Sequence, residues 1–209
     1  MARTLVLLRH GRTAYNHEGR LQGQVDVELD EAGHEQAARA AAEVARLDPA
    51  VLWCSDLVRT RSTASYLERE TGLSARPDAR LREFHLGRRE GLTYAEYAEQ
   101  APEESERFLR GDVDAVVDGE RTATVGERMA AAVADLLAAT PEDGVAVAVS
   151  HGAPIRVATA TLQGWPAGSD RGLHGLDNCG WVVMDDSRLD PSAPFRLRLR
   201  AYNRVAATP

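Results

Sequence analysis

Lysine is missing from this sequence, and arginine supplies all 25 of its basic residues. Acidic residues number 32, which gives a formal net charge of -7. A net negative charge argues against a general affinity for nucleic acid or for acidic membranes, because both are themselves negatively charged. If the chain binds an anion, it needs a local pocket of arginines set into an acidic surface.

Cysteines and long apolar runs are also scarce. Cys54 and Cys179 lie far apart and show no metal-ligand spacing, so we interpret them as buried free thiols. Near the N-terminus, the apolar run of residues 5–8 ends at Arg9 and is too short for a signal-peptide core or a membrane span. We therefore expect a cytoplasmic protein.

Short apolar runs alternate with helical patterns along the 209 residues. Residues 5–8, 51–54 and 145–149 are uninterrupted apolar segments, as expected of strands that are buried on both faces. Further strands are predicted over residues 179–184 and 195–202. This alternation favours a mostly parallel sheet with helices on both faces, so the sequence predicts an α/β three-layer sandwich.

Capping residues mark where several helices begin. A side chain that accepts a hydrogen bond from a free N–H group of the first turn stabilises a helix start, and a glutamate three residues later completes a capping box. Asp30 would begin a helix over residues 31–47, and another helix should start near Pro154. The predicted caps are Asp30, Asp56, Thr93 with Glu96, and Thr124 with Glu127.

Residues 92–125 form a helical, acidic segment that carries no strand signal. The whole chain has 44% hydrophobic residues and neither repeats, low-complexity tracts nor a clear linker, which suits one folded unit. We predict a single domain over residues 1–209, with a helical lid or cap inserted around residues 92–125.

Two of the predicted strands end in the same dipeptide, His10-Gly11 and His151-Gly152. In a parallel sheet, the carboxyl ends of the strands border the crevice where ligands bind. One such histidine would more often be structural, but a pair of them, with Arg9 before the first, favours a functional site. The glycines allow the backbone to turn sharply and to approach a ligand closely.

Arg59 follows the remaining strand and adds a second arginine to this edge of the sheet. Alone it would more often be a surface residue, but beside Arg9 it can complete an anion clamp, because guanidinium groups match phosphate oxygens bidentately. The same positive charge would repel a divalent cation, and a metallohydrolase would place several carboxylates beside its histidines. We predict an anion site with no metal and no cofactor.

Glu83 is the candidate proton donor, and a solvated surface glutamate is the competing interpretation. Nearby arginines should lower the pKa of this carboxyl group, which does not suit an acid at neutral pH. A bound phosphate would counter that effect, so we expect protonation of Glu83 to depend on substrate.

Further short motifs accompany these residues in a fixed order. They are Asn16, Gln22-Gly23, Ser55-Asp56-Leu57-Val58-Arg59, Leu81-Arg82-Glu83, Leu86-Gly87, Glu90-Gly91 and Ser150-His151-Gly152. Together with Arg9-His10-Gly11, this order resembles the histidine phosphatase superfamily, which contains the cofactor-dependent phosphoglycerate mutases and many phosphatases. The similarity runs over residues 4–203 and implies a phosphoglycerate mutase-like fold. Within the superfamily, the late Gly175-Leu176-Asp177-Asn178 motif resembles the actinobacterial glucosyl-3-phosphoglycerate phosphatases.

The resemblance implies a covalent mechanism. His10 would attack phosphorus as a neutral imidazole, and Glu83 would protonate the leaving alcohol and then deprotonate the attacking water. Arg9, Arg59 and His151 would neutralise the phosphate oxygens as these gain charge. Contacts to phosphate or substrate are implied for Asn16, Gln22, Gly23 and Gly152.

We therefore expect a metal-independent phosphatase for a small-molecule phosphoester, such as a sugar or glycerate phosphate, with glucosyl-3-phosphoglycerate as the leading candidate. The alternatives are a phosphoglycerate mutase and a non-catalytic module that binds a phosphorylated ligand. Neither nucleic acid nor a membrane is expected as a partner, and a homodimer is left open. Arg12, Arg88 and Arg89 depart from the superfamily pattern: they either add positive charge near the mouth of the site or are solvated surface residues.

Overall fold

A six-stranded sheet forms the centre of the computed structural model, which describes residues 2–186 and 197–207. In chain order the strands are β1 (Thr4–Arg9), β2 (Pro49–Cys54), β3 (Arg76–Pro77), β4 (Val145–Ser150), β5 (Trp181–Asp185) and β6 (Arg198–Arg204). Across the sheet they lie in the order β3-β2-β4-β1-β5-β6. The first four strands are parallel to one another, and β5 runs antiparallel between β1 and β6. A mostly parallel sheet was predicted and is confirmed.

Helices cover both faces of this sheet. Those in the described residues are α1 (Ala14–Glu18), α2 (Glu31–Ala45), α3 (Val58–Thr71), α4 (Tyr94–Gln100), α5 (Pro102–Leu109), α6 (Thr122–Ala138) and α7 (Gly152–Leu162). Side chains alternate along a strand, so Leu5 and Leu7 enter the core beneath α6 and α7, whereas Val6 and Leu8 enter the core beneath α2 and α3. The α/β three-layer sandwich is therefore confirmed.

The last two strands differ slightly from the predicted bounds. β5 begins at Trp181, two residues later than predicted, because Cys179 turns the chain with a φ of 56°. The Cys179 N–H group donates to the His10 carbonyl oxygen at 3.1 Å, which ties this turn to the end of β1. β6 begins at Arg198, and the earlier part of its predicted range, up to residue 196, lies outside the described residues.

Two of the predicted helix caps form as expected. The Asp30 carboxylate accepts from the Gly33 N–H at 2.7 Å and begins α2, which ends two residues before the predicted position. Thr93 and Glu96 form a reciprocal capping box at the start of α4. Near Pro154, α7 begins at Gly152, so the proline lies in the first turn.

The caps predicted at Asp56 and Thr124 are wrong. α3 begins only at Val58, and the two oxygens of the Asp56 carboxylate instead accept from Nε and Nη2 of Arg82, each at 2.7 Å. α6 begins at Thr122, which places Thr124 inside the helix, and the Asp114 carboxylate accepts from the Thr122 N–H at 2.9 Å. Both errors arise because a partner from elsewhere in the chain replaces the local one.

The topology brings the ends of β1 and β4 side by side, with Arg9 opposite Ser150. Residues 92–125 contain α4, α5 and the first turn of α6, and no strand lies within this segment. No helix in the described part of the chain is long and apolar enough to cross a membrane.

Candidate active site

His10 and His151 lie next to each other at the carboxyl ends of β1 and β4. Their ring centroids are 5.2 Å apart in an edge-to-face arrangement, and both side chains are almost completely buried. The backbone N–H group of His10 donates to the Ser150 carbonyl oxygen at 3.0 Å, which extends the hydrogen-bond ladder between β1 and β4 by one bond. Adjacent strands thus hold the two rings in a fixed relation.

A backbone contact fixes the tautomer of His10. Its Nδ1 lies 2.7 Å from the carbonyl oxygen of Gly11, so Nδ1 carries the proton and donates to that oxygen. Burial, and then the charges of Arg59 and Arg9, hold the pKa of His10 well below its ordinary value. His10 is therefore a neutral imidazole with a free lone pair on Nε2, which is the nucleophilic form.

Arg59 is fully buried, and backbone carbonyls hold it in place. Its Nη2 donates to Gly23 at 2.7 Å, its Nη1 donates to Val25 at 2.8 Å, and its Nε lies 3.3 Å from Nδ1 of His151. No carboxylate of the described residues forms an ion pair with this guanidinium, so its charge stays uncompensated.

Arg9 is the second cation at this point. One terminal nitrogen donates to the Leu176 carbonyl oxygen, and its buried Nε has no hydrogen-bond partner among the described residues. A Cβ atom on Gly152 would lie 3.2 Å from that Nε, so the glycine leaves room for the Arg9 side chain. Because Gly152 also begins α7, unpaired backbone N–H groups of the helix lie close to this cation.

Both ring nitrogens of His151 are already engaged. Nδ1 accepts from Arg59, and Nε2 donates to the Ser55 hydroxyl oxygen at 3.0 Å. Burial and the Arg59 charge hold the pKa of His151 well below its ordinary value, so this ring is also neutral. Direct contact between His151 and phosphate stays a prediction, and it would require one of these hydrogen bonds to be exchanged.

Glu83 lies at the wall of the same site, and its Oε1 accepts from the Phe84 N–H at 2.8 Å. Burial raises the pKa of this carboxyl group, and the opposing charges of Arg59, Arg9 and Arg128 do not reverse that shift. The arginines do act to lower the pKa of Glu83, as expected, but the cost of removing the carboxylate from water is the larger effect, so the net shift is upward. The raised pKa suits a proton donor.

Arg128 of α6 fixes the segment that carries Glu83. Its guanidinium donates to the carbonyl oxygens of Arg80 and Arg82, both at 2.7 Å, and of Glu83 at 3.1 Å. Glu120 pairs with the same guanidinium at 2.7 Å. Sequence reasoning missed Arg128, because a lone arginine inside an amphipathic helix carries no local signal of this role.

The loop after β1 supplies neutral polar groups. The Asn16 carboxamide oxygen accepts from the Thr13 N–H at 3.2 Å and from Asn178 at 3.1 Å, and the Asn16 NH₂ group donates to none of residues 2–186 and 197–207. Gln22 is buried, and its Oε1 accepts no hydrogen bond from the part of the chain that the structure describes. Gly23 adopts a φ of 53°, and any side chain there would collide with the Glu90 carboxylate. Gly23 contributes by presenting its carbonyl oxygen to Arg59.

These groups surround a cavity of about 440 Å³, which lies in the range of roughly 300–1,000 Å³ that is usual for small-molecule sites. His151 and Gly152 lie directly behind it, against Arg59 and Arg9. Sequence reasoning did not assign the other lining residues to the site, because they come from distant segments. The predicted residues that line the cavity are Arg9, His10, Asn16, Gln22, Gly23, Arg59 and Glu83, and the unassigned ones include Tyr94, Phe108, Arg156 and Asp170.

The three arginines that depart from the superfamily pattern lie in different places. Arg12 pairs with Asp30 at 2.8 Å, away from the cavity, and Arg88 is exposed outside it. Arg89 is 5% exposed and lines the cavity. The solvated-surface interpretation therefore holds for Arg88 and is wrong for Arg89.

Neither cysteine belongs to the site. Cys54 and Cys179 are free and buried, as predicted, and burial raises the pKa of each thiol to about 12, which keeps them protonated. Within residues 2–186 and 197–207, no group of three or more histidine, cysteine, aspartate or glutamate side chains is placed to hold a metal ion.

Comparison with known proteins agrees with this geometry. Residues 5–191 match the family model of the histidine phosphatase superfamily (branch 1). The chain is 38% identical over 215 aligned positions to the glucosyl-3-phosphoglycerate phosphatase of Mycobacterium tuberculosis, covering 98% of this chain and 96% of that protein. It is 32% identical over 206 positions to the probable phosphoglycerate mutase GpmB of Escherichia coli, covering 90% and 95% of the two chains.

A solved structure gives the same result for the fold. The mycobacterial glucosyl-3-phosphoglycerate phosphatase in complex with VO3 matches with a TM-score of 0.86 at 38% identity, and the match covers 96% of this chain and 98% of that chain.

Proposed function

The chain belongs to the histidine phosphatase superfamily, and we propose that it hydrolyses glucosyl-3-phosphoglycerate through a phosphohistidine formed on His10. Its match to a phosphatase over nearly the whole length of both chains makes it a phosphoric monoester hydrolase. The observation that carries the proposed mechanism is the state of His10: neutral, fixed through Nδ1 by Gly11, and beside two arginines without carboxylate partners in the described structure.

The first chemical step would transfer the phosphoryl group to His10. Nε2 attacks phosphorus in line with the ester oxygen, the N–P bond forms as the P–O bond breaks, and the proton of Glu83 goes to the leaving alkoxide. In the second step a water oxygen attacks phosphorus, the N–P bond breaks as the new P–O bond forms and its electron pair returns to Nε2, and the Glu83 carboxylate accepts the water proton. Phosphate then leaves, with His10 neutral and Glu83 protonated as at the start.

Positive charge would stabilise both transition states. Arg9 and Arg59 are held by carbonyl oxygens before substrate arrives, so little reorganisation is needed when the equatorial phosphate oxygens gain charge. The Asn16 NH₂ group adds a neutral donor. His151 would fix the orientation of Arg59 through its Nδ1 and contact the transferred group once Ser55 is released.

The substrate assignment rests on the similarity to the mycobacterial phosphatase and on the outer cavity. Tyr94 of α4 and Phe108 of α5 line that part, with ring centroids 6.3 Å apart. Flat apolar surfaces of this kind suit the C–H face of a sugar ring. We propose that α4 and α5, within residues 92–125, act as the lid over the acceptor half of the substrate.

The lid also argues against mutase activity, the function in the name of the GpmB relative. A mutase must hold a second phosphate group and therefore needs free cations above the site. Of the three arginines in residues 92–125, Arg107 pairs with Asp112 at 2.6 Å and Arg110 pairs with Glu106 at 2.5 Å, so acidic neighbours already compensate these two and leave Arg121. An acidic lid should repel a bisphosphate and leave the phosphohistidine open to water.

One assay tests this proposal. Purified enzyme is given glucosyl-3-phosphoglycerate, and separately 3-phosphoglycerate with catalytic 2,3-bisphosphoglycerate, while phosphate and 2-phosphoglycerate are both measured. We expect phosphate release, fastest from the glucosylated substrate, with no appreciable isomerisation. His10→Ala is the matched control, and it should lose both turnover and the acid-labile phosphoenzyme. Isomerisation that outruns phosphate release would reject the proposal in favour of a mutase.

A further inference from the structure

Five arginines line the cavity, and they differ in how their charge is compensated. Arg20 pairs with Glu18 at 2.9 Å and with Glu96 at 2.8 Å, and Arg156 pairs with Asp170 at 3.4 Å. In the proposed mechanism, the two arginines beside His10 take the transferred phosphate as their ligand. Arg89 has neither kind of partner, because no carboxylate of the described residues lies within ion-pair distance of it.

The surroundings of Arg89 hold it firmly without neutralising it. It ends a short 3-10 turn over Gly87–Arg89, and its guanidinium carbon lies 4.6 Å from the ring centroid of Phe108 and 5.7 Å from that of Tyr97. Glu104, the carboxylate whose charge acts to raise the pKa of Arg89, accepts from the Tyr97 hydroxyl at 2.7 Å and from the Val117 N–H at 3.2 Å. The aromatic faces orient the cation, but they accept no hydrogen bond in the plane of its fork.

The Arg89 guanidinium makes no hydrogen bond in the described structure. Its Nε is buried without a partner, and none of its N–H groups donates to a described residue. Burial lowers the pKa of Arg89, which reflects the cost of holding an unpaired charge away from water. An anion in the cavity would offset that cost.

We propose that Arg89 binds a carboxylate group of the substrate, so that the cavity recognises a second anionic group beside the phosphate. The inference deepens the proposed function, because a phosphoglycerate carries one carboxylate in addition to its phosphate. A single guanidinium matches the single charge of a carboxylate, whereas the dianionic phosphate meets two arginines at His10. A second phosphate would be poorly matched here, since the neighbouring lid is acidic.

A pair of simple substrates isolates this contact. 3-Phosphoglycerate and glycerol 3-phosphate differ only in a carboxylate against a hydroxymethyl group. The wild-type enzyme should prefer 3-phosphoglycerate, and Arg89→Met should lower its kcat/KM on that substrate by about 10- to 100-fold, the loss expected for one charge-assisted pair. The loss should lie mainly in KM, and activity on glycerol 3-phosphate should stay essentially unchanged.

The chain offers a matched control in the adjacent Arg88, which is exposed and lies outside the cavity. Arg88→Met removes the same charge from the same turn and should leave both substrates unaffected. Arg89→Lys keeps the charge but lacks the paired N–H donors of the guanidinium. It should therefore fold and show an intermediate loss of kcat/KM on 3-phosphoglycerate. Equal losses of Arg89→Met on both substrates, or no preference in the wild type, would overturn the assignment.

Binding separates this inference from the proposed function. Calorimetry with the inactive His10→Ala variant compares the affinities for 3-phosphoglycerate and glycerol 3-phosphate without turnover. A preference that depends on Arg89, in an enzyme that releases no phosphate, would support the carboxylate site and reject the phosphatase function. Turnover of both substrates with equal KM would support the phosphatase function and reject the carboxylate site.

Discussion

Glu83 owes its chemistry to its surroundings. Three arginines act on this carboxyl group, and each of them alone favours the charged form. Burial outweighs them and raises the pKa, so the protonated form persists to higher pH than in a free glutamate. Bound phosphate would then strengthen the shift, because its negative charge also disfavours ionisation of Glu83.

Replacing Glu83 should therefore separate substrates by their leaving groups. Glu83→Gln keeps the size of the side chain but cannot supply a proton, so hydrolysis of alkyl phosphates should slow on the order of 10²–10⁴-fold. Nitrophenyl phosphate needs little protonation and should lose far less. The rate ratio of the two substrates is the measurement, and the exposed Glu99→Gln in α4 serves as the control. Equal losses on both substrates would assign Glu83 a structural role or one limited to hydrolysis of the phosphohistidine.

The sequence alone predicts some of the residues at the candidate site but not others. His10 and Arg59 could be found because they follow buried strands, and strand ends meet at one edge of a parallel sheet. Ser55, Asn178 and Arg89 take their roles from contacts with residues far along the chain. No local pattern distinguishes an arginine that enters a cavity from one that enters solvent.

Helix α6 links the core to the catalytic segment. Its apolar side packs into the core under the sheet, and its Arg128 holds the carbonyl oxygens that precede and include Glu83. Gln24 adds a further bond to the Glu83 carbonyl oxygen at 3.1 Å. The position of the proposed proton donor is thus set by α6, whose first residue, Thr122, also lines the cavity.

Loosening that link should impair proton transfer more than phosphate binding. Arg128→Met removes the three carbonyl contacts, and a misplacement of about 1 Å at a reacting group can cost roughly 100-fold in rate. We expect kcat on alkyl phosphates to fall about 10- to 100-fold, with a much smaller effect on nitrophenyl phosphate and on inhibition by inorganic phosphate. Arg128→Lys should restore part of the rate. A uniform loss of activity on all substrates would point to general destabilisation.

The helix caps show where local rules end. Asp30 and the Thr93–Glu96 pair bond within their own turn, so the sequence alone identifies them. Asp56 meets a better partner in Arg82, since a bidentate ion pair is stronger than one bond to a neutral N–H group. Strand direction also depends on distant partners. The pattern of residues 179–184 predicts a buried strand, but it does not predict that this strand runs antiparallel to its neighbours.

The whole molecule combines an acidic surface with a cavity of arginines. The net charge of -7 should repel anions at long range, so access to the site depends on the local positive field. Arg9, Arg59 and Arg89 gather uncompensated charge in a small volume, which costs stability until an anion binds. Functional sites commonly trade stability for activity in this way.

Acid should unfold this protein through its two buried histidines. His10 and His151 stay neutral in the folded state because their pKa values are held well below the ordinary value of 6.5, whereas the unfolded chain takes up a proton at each site below about pH 6.5. The unfolded state then binds more protons, so stability is complete above that pH and falls as the pH drops, by up to about 1.4 kcal/mol per pH unit for each histidine. Glu83 has the opposite sign, since its raised pKa makes the folded state hold a proton that the unfolded state loses above about pH 4.5.

A variant that lacks one histidine isolates this effect from all other titrating groups. The free energy of unfolding is measured in urea at pH 5.5, 6.0, 6.5 and 7.5 for the wild type, for His10→Gln and for His174→Gln, whose ring is exposed. His10→Gln lacks the proton uptake of His10 on unfolding. Its loss of stability between pH 6.5 and 5.5 should therefore be smaller than that of the wild type by about 1 kcal/mol. The control His174→Gln should follow the wild type. Parallel curves for the wild type and His10→Gln would mean that His10 takes up a proton as readily in the folded protein as in the unfolded chain, so its pKa would not be lowered and the neutral nucleophile would be lost below about pH 6.5.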